Sequence, residues 1–463
     1  MLGRVERPGQ LEYEPVTTSP NGSLSAAIVD SSLFSGGLRE TAEQVGEVII
    51  DNLFDRYRDE LTQILRQALS GGERSRTYTR LLGEKLIEPL VPTGSERYFA
   101  WDSETVREIV HENPTLNYVD FLTTNPRERP FLILGASMVS AHPNYEFPRL
   151  IPVDYTPLYS GVRQQLGDRL GGTYVWSWAY GSTDVEEPSQ GIVTIRRRAG
   201  DARFTLADVI ASSGAAPQLF FLLGGPVQRL AAAVRLAAVV FPSFHHFAIR
   251  GDHEAVSPVE LPHGDGGFTD NLGLMPLLVR QVRNIIVFVN AKSEYHANAD
   301  VESFFRPVLK RGWTGDKSMN HAFDLAEYHD LLVGFRKNVS EGEALVYCDR
   351  DWHVHSNELY NLSGYGGLNI CWVYNREVPA WESKLRPAVR ALLEEKGDND
   401  KLGSFENFPW YETFAQNRPN LIRLTTTQVN LLANLSSWTV TNDATVEYIG
   451  DTISALGPDD SVR

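Results

Sequence analysis

Apolar residues recur at helical spacing in four parts of the chain. The predicted helices cover residues 39–69, 103–113, 207–217 and 425–455. In the first of them an apolar residue returns every three or four positions and charged residues fill the other face, which is typical of an amphipathic helix packed on a core. Asp102 or Ser103 is the predicted N-cap of the second helix, because short polar side chains satisfy the first free N–H groups of a helix.

Continuous apolar runs between these helices predict buried strands. The predicted strands cover residues 129–137, 174–180, 284–290 and 367–375. Parallel strands covered on both faces have such runs, whereas half-exposed strands alternate apolar and polar residues. Because long helical stretches separate the runs, the pattern favours an α/β fold with a mostly parallel central sheet.

The longest apolar run, residues 219–241, has the length of a membrane span but not its composition. Arg229 and Arg235 interrupt it, and residues 224–226 (Gly-Gly-Pro) break its start. A spanning helix needs about 20 apolar residues without central charges. We therefore predict that this run forms core or the wall of an active site.

The composition of the chain argues against some classes of binding partner. The chain has 463 residues, is 42% hydrophobic and carries a formal net charge of −16. This charge argues against a nucleic-acid partner, which requires a basic surface, and provides no general attraction to anionic membranes. Cys348 and Cys371 are the two cysteines; neither lies in a metal-binding pattern, and both are predicted to be small buried residues without a disulfide.

The chain is predicted to be one domain behind a short tail. Residues 1–22 are polar and rich in proline and glycine, which predicts a flexible segment, and residues 23–463 form a single catalytic domain with helical insertions and a helical C-terminal part. The N-terminus lacks the apolar stretch of a secretory signal. A cytoplasmic location is therefore expected, although a processed precursor would have the same features.

The strongest chemical signal is the segment HGDGGFTDNLGLMPLL at 263–278. It predicts a tight turn that presents the carboxylate of Asp265 and is followed by a helix. Gly266 and Gly267 allow the backbone to approach the site closely. A carboxylate in such a turn can act as the base for a serine hydroxyl.

This segment resembles the catalytic-aspartate segment of the patatin and cytosolic-phospholipase superfamily. Three other stretches resemble the superfamily in the same order along the chain: RPFLILGAS at 129–137, PVDYTPLYSGV at 152–162 and FTLADVIASSGAAPQLF at 204–220. The resemblance covers residues from about 30 to 380. It implies a patatin-like three-layer α/β/α sandwich and a lipid acyl hydrolase with a Ser-Asp dyad. The implied substrate is a phospholipid or lysophospholipid, with peripheral membrane contact, no cofactor and no metal.

The nucleophile has two alternative interpretations at the turn LFSGGLRETAEQVG, residues 33–46. In the first, Ser35 is the nucleophile, and the N–H groups of Gly36 and Gly37 face the oxyanion at the start of a helix. Arg39 would then lie near the phosphate of the substrate. In the second, SGGLR is the oxyanion loop that the resemblance implies, and the nucleophile is Ser70, in LSGGERS.

A third interpretation is that the chain lacks the nucleophile. It would then be a degenerate scaffold that binds ligands, or one part of a processed or two-chain enzyme, because a fold alone does not fix a function. No histidine is needed for the dyad. His263 is interpreted as a structural residue that can line the pocket, and the pair His353 and His355 lacks further ligands at metal-binding spacing.

Overall fold

The computed structural model describes a little over half of the chain. The described residues are 76–83, 87–88, 91, 93–124, 130–140, 149–166, 170–189, 192–198, 201–215, 241–247, 258–291, 294–306, 320–396, 398–399, 403–410, 426–441, 446–447 and 449–450. The predicted flexible segment 1–22 and the predicted helix 39–69 lie outside these residues, as does the run 219–241 except for Phe241. The prediction of a single domain stays a prediction.

Within the described residues, fifteen strands form five sheets. The strands are β1 Tyr98–Ala100, β2 Phe121–Thr123, β3 Leu134–Ser140, β4 Arg149–Tyr155, β5 Tyr159–Leu166, β6 Leu170–Trp176, β7 Asp184–Ser189, β8 Ile192–Arg196, β9 Ser243–His246, β10 Val259–Asp265, β11 Asn284–Val289, β12 Leu345–Val354, β13 Tyr365–Tyr374, β14 Asp398–Asn399 and β15 Gly403–Ser404. The largest sheet has six strands in the order β6-β5-β4-β3-β10-β9, and the next has three in the order β11-β13-β12. The pairs β1–β2, β7–β8 and β14–β15 form the other three sheets.

The six-stranded sheet is antiparallel throughout, so the predicted three-layer α/β/α sandwich with a mostly parallel sheet is wrong. The connections explain the direction of the strands. Three residues separate β4 from β5 and three separate β5 from β6, and a parallel pair needs a crossover of about a dozen residues or more. These strands therefore pair as hairpins. In the described residues only β1–β2 and β11–β13 pair in parallel.

The described helices are mostly short. The α-helices are α1 Thr77–Leu82, α2 Ser103–Glu112, α3 Leu206–Ser213, α4 Gly267–Asp270, α5 Met275–Val279, α6 Ala299–Glu302, α7 Leu325–Glu341, α8 Pro379–Glu382, α9 Pro387–Glu395 and α10 Thr426–Thr441. In the part of the chain that the structure covers, 3-10 helices lie at Gly94–Glu96, Tyr118–Asp120, Ser177–Ala179 and Tyr295–Ala297.

Several predicted elements are confirmed. The helix predicted at 103–113 is α2, and the carboxylate of Asp102 caps it by accepting from the N–H of Thr105 at 2.7 Å. The helix predicted at 207–217 is α3, which begins with a reciprocal cap between Thr205 and Asp208. The strands predicted at 284–290 and 367–375 are β11 and β13, and the predicted C-terminal helix includes α10.

Apolar clusters pack against both of the larger sheets. One face of the six-stranded sheet packs against α3 through Tyr155, Phe204 and Val209. The three-stranded sheet buries Trp372 and Leu331 between β13 and α7. Asp154 on β4 forms a salt bridge with Arg280, the residue that follows α5.

Cys348 and Cys371 form a disulfide, which corrects the prediction that both are unpaired. The two residues lie directly opposite each other on the antiparallel strands β12 and β13, with their Cα atoms 4.0 Å apart. The sequence separation of 23 residues gave no indication of this register. Pairing of the strands brings the thiols together.

Candidate functional site

Asp265 is the last residue of β10, an interior strand between β3 and β9. The chain turns directly after this strand, at Gly266, and enters α4 at Gly267. Asp265 pairs with Ala136 on β3, and its side chain is half-buried. A ligand can therefore reach the carboxylate, while pairing with β3 holds the backbone.

The turn at residues 265–267, here called the Asp265 turn, depends on its glycines. A Cβ atom on Gly266 would lie 2.6 Å from the carbonyl carbon of Gly135 and closer still to its oxygen. A Cβ atom on Gly267 would lie 2.6 Å from Oδ1 of Asn271 and 3.0 Å from Oδ1 of Asp265. The backbone N–H of Gly267 donates to Oδ1 of Asp265 at 2.7 Å, which fixes the orientation of the carboxylate.

Buried hydroxyl groups hold the turn against the sheet. The hydroxyl of Ser137 donates to the carbonyl of Asp265 at 2.9 Å and lies 3.1 Å from that of Thr269. The hydroxyl of Ser213, at the end of α3, donates to the carbonyl of Gly135 at 2.8 Å. Because Ser213 also accepts from the N–H of Gly266, the helix, β3 and the turn form one hydrogen-bonded junction.

Tyr78 on α1 is part of the surroundings of Asp265. Its hydroxyl donates to the carbonyl of Gly214 at 3.0 Å. Burial raises the pKa of Tyr78 far above its usual range, and the negative charge of Asp265 raises it further. Tyr78 is therefore a neutral hydrogen-bonding group beside the carboxylate.

His263 is a buried structural residue, as interpreted from the sequence. Its Nε2 lies 2.7 Å from the hydroxyl of Tyr180 and its Nδ1 lies 2.9 Å from the carbonyl of Leu261. Since a carbonyl only accepts, Nδ1 carries the proton and Nε2 accepts from Tyr180. Burial lowers the pKa of His263 to about 3, so its ring is neutral near pH 7.

The edge of the sheet that holds Asp265 also exposes apolar side chains. The predicted strand at 129–137 begins only at Leu134, and the residues before it lie at the surface. Leu132 is 40% exposed, and the ring of Phe131 contacts that of Tyr159 at 6.4 Å between centroids. Tyr159 pairs with Trp176, which is 44% exposed. Phe131, Leu132, Tyr159 and Trp176 are here called the apolar rim.

The strand directions place the apolar rim and Asp265 at the same end of the six-stranded sheet. Asp265 ends β10, Leu132 precedes the start of β3, Tyr159 starts β5 and Trp176 ends β6. In the antiparallel register these four positions lie at one end of the sheet.

A charged cluster that no sequence pattern indicated includes the hydroxyl of Tyr159 from the apolar rim. Nη2 of Arg280 lies 2.9 Å from Oδ2 of Asp154, and the guanidinium also donates to the hydroxyl of Tyr159. The hydroxyl of Tyr174 donates to the same carboxylate oxygen at 3.2 Å. Asp154 and Arg280 are 126 residues apart, so only the folded chain brings them together.

The histidine pair at 353–355 has a structural environment. Nε2 of His355 lies 2.9 Å from Oδ1 of Asp324, the residue that caps α7. Within the described ranges, no group of three or more His, Cys, Asp or Glu residues is arranged to hold a metal ion.

The structure describes one half of the predicted dyad. Ser35, Gly36, Gly37, Arg39 and Ser70 lie outside the described residues, so the choice between Ser35 and Ser70 stays open. Asp265, Gly266 and Gly267 form a hydrogen-bonded turn that presents a carboxylate. Across the part of the chain that the structure covers, no helix is long and apolar enough to cross a membrane.

The chain was compared with protein-family profiles and with curated protein sequences. No protein-family profile and no curated protein sequence matches this chain.

Proposed function

We propose that this chain is a lipid acyl hydrolase of the phospholipase A or lysophospholipase type, with Asp265 as its general base. The observation that carries the proposal is the place of Asp265. It ends an interior strand, and the turn that follows leaves no room for a side chain at Gly266, at the same end of the sheet as the apolar rim. Asp265 thereby provides a fixed proton acceptor, and the rim provides exposed apolar side chains that can contact lipid.

The proposed reaction has two steps. The hydroxyl of Ser35 attacks the acyl carbonyl while Asp265 takes its proton, and the tetrahedral intermediate collapses as Asp265 returns the proton to the leaving alcohol. Water, deprotonated by the same carboxylate, then attacks the acyl-serine, and Asp265 returns the proton to the serine oxygen as the fatty acid leaves. The N–H groups of Gly36 and Gly37 are the proposed oxyanion donors, and Arg39 is the proposed partner of the phosphate.

The first experiment tests the dyad. Replacing Asp265 with Asn is expected to lower the hydrolysis of a fluorogenic phospholipid about a hundredfold or more. The matched control is Asp184→Asn on β7, where the carboxylate is partly exposed and pairs with Arg198 at the surface. Wild-type activity in Asp265→Asn would exclude its role as the base.

Labelling with a fluorophosphonate identifies the nucleophile. Label on Ser35 that is lost in Ser35→Ala supports the first interpretation of the turn at 33–46, and label on Ser70 supports the second. A well-folded protein that takes up no label and hydrolyses no lipid would overturn the proposed activity and favour a binding scaffold.

The proposal assigns the apolar rim to peripheral contact with a phospholipid surface. Tryptophan and tyrosine are enriched where a protein meets the membrane interface, and the rim contains one of each beside Leu132. Replacing Leu132 with Asp is expected to weaken vesicle binding about fivefold, since moving a partly exposed leucine out of water is worth about 1 kcal/mol.

The control for this variant is Val333→Asp on α7, which changes an apolar side chain that is 59% exposed elsewhere. Hydrolysis of a short, soluble ester should stay unchanged in both variants. Equal vesicle binding by Leu132→Asp and Val333→Asp would rule out the rim as the lipid contact.

A cytoplasmic location stays a prediction. Disulfides persist mainly in oxidising compartments, so the redox state of Cys348 and Cys371 in cells tests this prediction directly.

A further inference from the structure

An open cleft of about 260 Å³ lies next to the Asp265 turn. Its lining includes Asn271 from the segment after α4, Phe288 and Asn290 at the end of β11, and Asp300 in α6. Gly267 connects it to the candidate active site, because a Cβ atom there would lie 2.6 Å from Oδ1 of Asn271.

The cleft combines an aromatic face with polar amide groups. Phe288 is 61% exposed, although its neighbours Val287 and Val289 are buried in the core. Nδ2 of Asn271 donates to Oδ2 of Asp300 at 2.6 Å, and Asn290 is exposed beside them. A large exposed phenylalanine at the mouth of a polar cleft is a feature that packing of the core does not require.

The lining discriminates between classes of ligand. Among the described residues that line the cleft there is no lysine, arginine or histidine, and Asp300 contributes a negative charge, so binding of a phosphate or carboxylate is disfavoured. Amide and carboxylate groups along the wall disfavour an acyl chain, which would leave them desolvated. The volume is slightly below the range of about 300–1,000 Å³ for sites of drug-sized ligands, which suits a single ring.

We propose that this cleft binds one neutral polyhydroxylated ring, such as a hexose, stacked on Phe288. The hydroxyl groups of the ring would exchange hydrogen bonds with Asn271, Asn290 and Asp300, whose amide and carboxylate groups provide both donors and acceptors. The ring can come from a free sugar or from the glycosyl head group of a lipid ester. Only the second source rests on the proposed hydrolase function.

The proposal is tested by measuring the binding of methyl glucoside and methyl galactoside to the full chain. NMR saturation transfer detects the binding. The Asp265→Asn variant is the background, because it separates binding from any turnover. Replacing Phe288 with Ala is expected to weaken binding about fivefold, since stacking on an aromatic ring contributes about 1 kcal/mol. The matched control is Tyr118→Ala, which removes an aromatic ring that is 55% exposed at another site.

A second variant, Asn290→Ala, tests the polar wall and should also weaken binding while leaving the unfolding midpoint unchanged. Failure of both glycosides to bind, or equal binding by Phe288→Ala and Tyr118→Ala, would overturn the proposal. Preferential binding of uridine or inorganic phosphate would overturn it as well.

The source of the ring is determined by a separate comparison. If the ring is a lipid head group, Phe288→Ala lowers hydrolysis of a glycosyl diacylglycerol but not of phosphatidylcholine. If it is a free sugar, both rates stay unchanged while glycoside binding is lost. A chain that hydrolyses neither lipid but binds glycosides through Phe288 would contradict the proposed function and support the cleft.

Discussion

Replacing Gly266 with Ala tests whether the Asp265 turn depends on close approach of two backbones. The φ and ψ angles of Gly266 are −64° and −25°, which alanine also adopts. Only the lack of room for its Cβ atom disfavours the substitution. The added Cβ would lie 2.6 Å from the carbonyl carbon of Gly135. Since ordinary contacts begin near 3.4 Å, the turn must move away from β3 by about 1 Å.

The expected loss in the free energy of unfolding follows from the contacts between the turn, β3 and α3 that this movement disrupts. Forcing an extra methyl group into a packed site costs about 1–3 kcal/mol. The hydrogen bond from Ser137 to the carbonyl of Asp265 and that from Gly266 to Ser213 would both lengthen, at about 0.5–1.5 kcal/mol for each bond lost. We expect the free energy of unfolding to fall by about 2–4 kcal/mol. A displacement of about 1 Å at the carboxylate would also lower hydrolysis about a hundredfold.

The matched control is Gly135→Ala, on the other side of the same contact. A Cβ atom on Gly135 meets no atom within 4 Å, so this variant should keep its stability within about 0.5 kcal/mol. Urea unfolding followed by tryptophan fluorescence measures both variants. An unchanged midpoint for Gly266→Ala, or equal losses in the two variants, would refute the reasoning.

Two further predictions concern stability. Burial lowers the pKa of His263 to about 3 and that of His246 to about 4, so below about pH 6.5 the unfolded chain binds protons that the folded chain does not. The free energy of unfolding should therefore fall by about 2–3 kcal/mol for each histidine by about pH 4.5; a slope of the unfolding midpoint against pH that is the same in His263→Gln as in the wild type would contradict this. Replacing Cys348 and Cys371 with Ser is expected to lower the free energy of unfolding by about 3 kcal/mol, for a closed loop of this length; equal midpoints for the double variant and the oxidised wild type would contradict it.

Local features of the fold could be predicted from the sequence because they depend on neighbours along the chain. The N-cap of α2 needs a polar side chain at Asp102 and a free N–H three residues later. The Asp265 turn needs a strand end followed by two small residues, and the segment 263–278 contains both. Sequence reasoning placed these elements within a few residues of their observed positions.

Strand direction could not be predicted in the same way. An apolar run such as 129–137 is compatible with a buried strand in a parallel or an antiparallel sheet. The short connections that decide between them lie at 156–158 and 167–169. The first was interpreted by resemblance and not by turn length, and the second was not interpreted. The pairs Cys348–Cys371 and Asp154–Arg280 depend on strand register and on contacts between sheets, which no local pattern determines.

The Asp265 turn and the antiparallel sheet are compatible because the turn depends on proximity and not on strand direction. Gly266 must pass the backbone of Gly135, and the hydroxyl of Ser137 must reach the carbonyl of Asp265. An adjacent strand provides these contacts whichever way it runs, as long as a glycine and a short polar residue lie in register. The requirement for a base at the end of an interior strand is therefore separate from the requirement for a parallel sheet. A dyad at Asp265 thus remains chemically consistent with this fold, and the decisive observation is which serine hydroxyl lies within about 3 Å of its carboxylate.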